Sequence, residues 1–199
     1  MVNKNPIERI YPKDSRVKRQ TIAHHTARYL YATKVRPPKG KALDIACGSG
    51  YGSEILRKSG YKKTIGIDKS GEAISFAGEH YPKCEFYIND ITLFIPDGRF
   101  GLVTLFETIE HLTHKDGLHL LKNIRDVLDK NGLFMMSTPR DNNGKYNTFH
   151  KSEWPYTEIK NVLGSIFSEV TIYGQDWDTS KISSEDVPHN DFYIAVCKK

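Results

Sequence analysis

Cysteine is scarce and scattered. Cys47, Cys84 and Cys197 lie far apart in a chain of 199 residues, so neither a disulfide framework nor a Cys-x-x-Cys metal site can be drawn from them. They read as free thiols of a reducing compartment. Long apolar runs are also missing, and none approaches the length of a membrane span. The opening stretch MVNKNPIERIYPKDSR alternates charge with isolated aliphatics and lacks the apolar core of a secretory signal. A cytoplasmic protein without a membrane span is the expectation. There is no internal repeat and no low-complexity segment.

What is present is a globular balance, with 38% hydrophobic and 27% charged residues, enough for one domain over residues 1–199 to bury its own core. The net charge of +5 suits an anionic partner such as RNA or a nucleotide sugar, although a surplus this small also describes an ordinary solvated surface.

Residues 1–40 are polar and basic as far as Arg19. Thr21 to Thr33 then carries Ile22, Ala27, Tyr29, Leu30 and Ala32, which predicts a packed helix, ended by Pro37-Pro38. From Lys41 strands and helices alternate. Strands are expected at Ala42–Ala46, Thr64–Ile67, Glu85–Ile88, Leu102–Phe106, Leu133–Ser137, Glu169–Tyr173 and Phe192–Cys197. Helices are expected around Tyr51–Lys58, Gly71–His80, Leu118–Leu128 and Tyr156–Phe167. This alternation predicts an α/β protein with a mostly parallel sheet covered on both faces, whose chemistry lies at the carboxyl ends of the strands.

The most informative stretch is Ala42 to Leu56, ALDIACGSGYGSEIL. An apolar strand runs into Gly48, Gly50 and Gly52 and then into a helix, so that backbone N–H groups can meet a nucleotide-like ligand. A dinucleotide fingerprint would need a third glycine where Ser53 stands, and no Gly-Lys-Ser/Thr follows for a phosphate loop. Asp68, at the end of the second strand, can accept hydrogen bonds from ribose hydroxyls. Asn89 and Asp90 could meet the amino edge of an adenine, and Asp44 a cationic amino group. None of these partners calls for a phosphate.

Together these motifs resemble the class I S-adenosylmethionine-dependent methyltransferases. The resemblance is carried by LDIACGSGYG at Leu43–Gly52, GID at Gly66–Asp68, NDI at Asn89–Ile91, FETIEHL at Phe106–Leu112 and the NGLFMMSTP strand ending at Pro139, in the family's order. It implies a Rossmann-like seven-stranded sheet with Phe192–Cys197 inserted antiparallel, and S-adenosylmethionine as cofactor. It further implies that Ala46, Gly48, Gly50, Tyr51 and Gly52 cradle the cofactor, joined by Asp68 and Lys69, by Asn89, Asp90 and Ile91, and by Phe106 and Glu107. More narrowly, HTARYLYA with His25, Arg28 and Tyr29, the ETIEHL run and NTFHKSEW resemble a branch associated with glycan assembly, in which residues 1–40 form a helical cap over the cofactor. In that branch Arg28 would lie near the methionyl carboxylate, and Tyr29 is foremost a packing residue.

Glu107, Glu110 and His111 are spaced to share one helix face if a helix begins there, and His150 could close the set. Two carboxylates and two imidazoles suit either a general base, with His111 in that role, or a divalent metal site made of Glu107, Glu110, His111 and His150. His114 reads as a surface residue. The expected activity is O-methylation of a sugar, nucleotide sugar or glycan, with RNA ribose 2′-O-methylation or an inactive cofactor-binding protein as alternatives, and with the chain a monomer or homodimer. Arg140–Asn147 and Gln175–Asn190 read as loops, the first a place to seek acceptor specificity.

Overall fold

The computed structural model describes residues 10–12, 17–93, 97–140 and 150–199. Helix α1 (Arg19–Val35) precedes strand β1 (Lys41–Ile45), α2 (Tyr51–Lys58), β2 (Lys63–Asp68), α3 (Gly71–His80), β3 (Glu85–Ile88) and β4 (Phe100–Phe106). There follow a 3₁₀ turn at Ile109–His111, α4 (His114–Val127), β5 (Leu128–Pro139), α5 (Tyr156–Ile166), β6 (Glu169–Gln175), β7 (Ile182–Ser183) and β8 (Phe192–Lys198). The sheet order is β3-β2-β1-β4-β5-β8-β6-β7. Strands β3 to β5 pair in parallel, and β8 enters antiparallel between β5 and β6.

Among the described residues the sheet has eight strands rather than the expected seven. The extra one is β7, inside the segment expected as a loop, where Gly174 faces Ser183 and Gln175 faces Ile182. No hydrophobic run announces so short a strand. Turn chemistry makes it: the Asp176 carboxylate accepts from Thr179 N and Oγ1 at 2.8 and 2.6 Å, and Asp176 N donates to Lys181 O at 3.1 Å, folding the chain back on β6. Helix α4 begins earlier than expected because Thr113 caps it, accepting from Asp116 N at 3.2 Å.

Strand β4 is buried along its whole length and β1 everywhere beyond Lys41. Their alternate residues feed two apolar layers. On one face Leu43, Ile45, Val103 and Leu105 pack with Leu120 and Ile124 of α4 and Leu163 of α5. On the other, Ala42, Leu102 and Met135 pack with Tyr29 and Ala32 of α1 and Leu56 of α2. Within the stretch expected as a cap, α1 is thus part of the core.

A Cβ on Gly52 would lie 2.0 Å from the Tyr29 ring, and that ring is hemmed in by Phe106, edge-on at a centroid distance of 4.9 Å. Gly52→Ala should destabilise the protein by ~1–3 kcal/mol, the usual size of overpacking, seen as a lower urea midpoint in circular dichroism.

Candidate active site

The site is built at the carboxyl ends of β1, β2 and β4. Cys47 N continues the β1 ladder by donating to Ile67 O at 2.9 Å, and the chain then turns through Gly48 and Gly50, both at positive φ. Gly50 has no alternative: a Cβ there would lie 2.6 Å from Ala77 and 2.8 Å from the Phe86 ring. At Gly48 a Cβ would meet nothing within 4 Å. Asp68 accepts from Gly48 N at 3.0 Å and from Ser70 N at 2.9 Å, tying the glycine loop to the start of α3.

A cleft of about 510 Å³ opens over this loop. It brings together His25 and Tyr29 from α1, Ala46 and Gly48 from the loop, Tyr51 at the start of α2, and Asp68 and Lys69 at the end of β2. Asn89, Asp90 and Ile91 line it after β3, and Phe106, Glu107, Glu110 and His111 after β4, with His150 across from them. Arg28, Asp44, Gly50 and Gly52 do not line it. The two glycines serve the turn and the seat of Tyr29.

Asp44 is completely buried rather than facing a ligand's amino group, and its carboxylate accepts from Ser53 Oγ at 2.7 Å, Thr104 Oγ1 at 2.8 Å and the Tyr29 hydroxyl at 3.1 Å. Tyr29, expected as packing, is therefore packing and hydrogen-bond donor together. Burial pushes the Asp44 carboxyl up to about 6, against the pull of its three hydroxyl donors. Arg28 is buried behind the cleft instead of facing it. Its Nε donates to Gln175 Oε1 at 2.7 Å, one terminal nitrogen stands 3.2 Å from Glu107 Oε1, and the guanidinium lies over the Phe192 ring at 4.5 Å.

At the end of β4, Glu107 adopts a left-handed backbone and the 3₁₀ turn follows, with α4 starting only at His114. No α-helical face therefore presents Glu107, Glu110 and His111 together. The turn does so for two of them. Glu107 Oε1 accepts from Ser137 Oγ at 2.7 Å and faces Arg28. Glu110 is buried, accepts from Thr138 Oγ1 at 3.3 Å, and its carbonyl receives Lys151 N at 2.8 Å and Ser152 N at 3.1 Å. Those backbone bonds carry His150 to within 5.2 Å of His111, ring centroid to centroid.

Ligand atoms of Glu110, His111 and His150 all lie within 4.8 Å of one another. Glu107 stands outside this group, so three of the four anticipated metal ligands converge. Burial, reinforced by the nearby Glu107, holds the Glu110 carboxyl well above the usual range, and burial beside His111 lowers His150. His114 packs against Trp154 at 4.5 Å and pairs with Glu158 at 3.2 Å on the surface, as its reading anticipated. Residues 141–149, which contain most of the loop singled out for acceptor specificity, lie outside the described residues.

Several residues of the site had no signal in the sequence. Ile10 and Thr21 line the cleft, yet Ile10 sits in a polar stretch without periodicity and Thr21 is an ordinary polar residue at the start of the predicted helix. Thr104 and Ser137 look like ordinary strand residues until the register of β1, β4 and β5 places them beside Asp44 and Glu107.

A family model described as a methyltransferase domain matches residues 15–177. A ubiquinone biosynthesis O-methyltransferase of Coxiella burnetii is 35% identical over 106 residues, covering 50% of this chain and 44% of that protein, so the chain spans less than half its relative's length. Among solved structures, a SAM-dependent methyltransferase from Archaeoglobus fulgidus is similar with a TM-score of 0.71 at 20% identity, covering 92% of this chain and 96% of that one. The N-methyltransferase NodS from Bradyrhizobium japonicum, solved with S-adenosylhomocysteine, gives 0.66 at 16% identity over 92% and 88%. At these identities the structural likeness establishes the fold.

The raised Asp44 carboxyl makes a pH prediction. Because its pKa rises from the ordinary 3.8 to about 6 on folding, the folded state binds the extra proton between those values. Its contribution is favourable below about 3.8 and is lost as pH climbs to about 6, a change of ~3 kcal/mol. Asp44→Asn should flatten stability against pH across this window, measured by urea unfolding from pH 4 to 7.

Proposed function

The chain belongs to the methyltransferase-domain family, and from that premise we propose that it transfers a methyl group from S-adenosylmethionine to the hydroxyl of a small acceptor. The observation that carries the hydroxyl assignment is the convergence of Glu110, His111 and His150 at the end of the cleft, beside Glu107.

The cleft fits the cofactor. The open space at Gly48 leaves the loop backbone accessible, and Asn89 lines the cleft with an Oδ1 that is buried without a hydrogen-bond partner, an acceptor the amino edge of an adenine would satisfy. Asp68 lines the cleft at the end of β2, where its carboxylate would hold the ribose hydroxyls. When bound, S-adenosylmethionine supplies a methyl already activated on a sulfonium. The chain's task is then alignment, which in well-oriented systems is worth ~7–11 kcal/mol, and removal of one proton.

In this reading His111 takes that proton. A hydroxyl becomes a competent nucleophile only as its proton leaves, and a positioned imidazole typically contributes a factor of ~10² to 10⁴. Burial and the neighbouring His111 lower the pKa of His150, which favours its uncharged form. A second reading rests on the same convergence: one carboxylate and two imidazoles would hold a divalent cation with positions left open, and such an ion would acidify a coordinated hydroxyl. The sugar or glycan hydroxyl implied by the sequence resemblance is an acceptor of the proposed class, as is a phenol.

His111→Gln should lower kcat by ~10² to 10⁴ while leaving the affinity for S-adenosylhomocysteine, measured by calorimetry, unchanged. Chelation should spare activity if His111 acts alone, whereas loss restored by a divalent cation would assign the trio to metal binding. Labelled S-adenosylmethionine offered with sugars, nucleotide sugars, phenols and RNA should mark a small acceptor, and labelling of RNA alone would overturn that class. Asp68→Ala should weaken cofactor binding by at least about tenfold, the scale of a lost charge-assisted hydrogen bond.

A further inference from the structure

Two short stretches of the chain carry cations and no carboxylate. Residues 34–41 hold Lys34, Arg36, Lys39 and Lys41, and residues 57–63 hold Arg57, Lys58, Lys62 and Lys63. The fold lays them side by side, since the first leads from the end of α1 into β1 and the second from the end of α2 into β2. Lys41 and Lys63 are register partners on the parallel strands, the Tyr61 hydroxyl donates to Arg36 O at 3.1 Å, and a Cβ on Gly60 would stand 3.6 Å from Pro38.

Local structure accounts for part of this charge. Arg57 and Lys58 stand 2.6 and 3.6 Å from Glu54, Lys63 stands 2.8 Å from Glu85, and cations in the last turns of α1 and α2 complement the negative ends of those helices. Lys39, Lys41 and Lys62 are exposed and enter no ion pair among the described residues. Lys41 beside Lys63 sets like charges on neighbouring strands, an arrangement that costs stability, and both act on the single carboxylate of Glu85. Charge gathered at a cost to the fold indicates a partner of opposite sign.

We propose that this basic face docks on a lipid bilayer rich in anionic phospholipid. The exposed cations of the two stretches are all lysines, point charges suited to the diffuse potential of a lipid surface. Leu30, 54% exposed one turn before Lys34 on α1, adds an apolar side chain to set into the interface. Nucleic acid fits less well. Arg57 has its fork occupied by Glu54 and Arg36 is half-buried, so neither is free to grip a phosphate, and Tyr61, the aromatic of the two stretches, is buried and cannot stack on a base. The cleft lies at the opposite ends of the strands, about 15 Å away along the five residues of β1, so a docked protein keeps it open.

The test is co-sedimentation of the full chain with vesicles of phosphatidylcholine alone or mixed with phosphatidylglycerol. The wild type is compared with a variant carrying Lys39→Gln, Lys41→Gln and Lys62→Gln, and with a control of equal charge carrying Lys115→Gln, Lys122→Gln and Lys160→Gln on α4 and α5. Wild type and control should bind the mixed vesicles and not the neutral ones, less so as salt rises. The first variant should bind ~100-fold more weakly, about fivefold for each lysine. Its melting temperature should not fall, because Lys41→Gln relieves the repulsion from Lys63, so its lost binding is not unfolding. Wild-type protein that ignores the mixed vesicles, or a control that loses as much as the first variant, would overturn the docking face. Retention of an RNA oligonucleotide in place of the vesicles would overturn the lipid assignment.

Discussion

One buried carboxylate holds the site together. Asp44 sits at the end of β1 with no exposure and receives hydroxyls from Tyr29 on α1, Ser53 on α2 and Thr104 on β4. A buried carboxylate with no cation among these partners is unfavourable as an anion, which is why its pKa rises although every donor pulls it down. The arrangement remains stable because the hydroxyls satisfy the oxygens, and loss of any one would leave a buried acceptor short, at ~1–3 kcal/mol. Two helices and the central strand thereby share a single point of reference. Tyr29 is fixed in position by it, and with Tyr29 fixed, Gly52 becomes obligatory and one wall of the cleft is set.

A second constraint acts from behind. Arg28 joins α1 to Gln175 of β6, to the face of Phe192 in β8 and to Glu107 at the end of β4. A buried ion pair of this kind contributes little net stability, since desolvation offsets the attraction. Its effect is on geometry, because Glu107 carries a left-handed backbone whose side chain is aimed by Arg28 and by Ser137. Arg28 thus acts on the reacting end of the cleft through Glu107 while lying outside the cleft itself.

The sequence made legible what local patterns encode. The apolar strands and the glycine turn predicted the parallel sheet and the place of the cleft, and of the residues that the family resemblance implied between Ala46 and Ile91, all but Gly50 and Gly52 line it. It misjudged elements set by long-range register. The resemblance implied a ligand contact for Arg28 and the position of a carboxylate before the loop suggested one for Asp44, and only the pairing of β1 with β4 and the bond from α1 to β6 show them turned inward. The three- and four-residue spacing of Glu107, Glu110 and His111 implied a helix face, but an isolated 3₁₀ turn brings Glu110 and His111 together and leaves Glu107 to Arg28. β7 escaped notice because an aspartate-centred turn, rather than hydrophobic alternation, creates it.

The reacting end is organised by Glu110 in three ways at once. Its side chain belongs to the convergent trio, its chain neighbour is His111, and its carbonyl accepts both Lys151 N and Ser152 N. His150 therefore reaches His111 through backbone hydrogen bonds that any side chains at residues 151 and 152 could make. Trp154, almost fully buried, fixes the same segment from the other side by packing on α4, where a Cβ at Gly117 would stand 3.0 Å from its ring. Both anchors lie downstream of His150, so the place of its imidazole beside His111 is set by the Glu110 carbonyl and by the seat of Trp154 on α4.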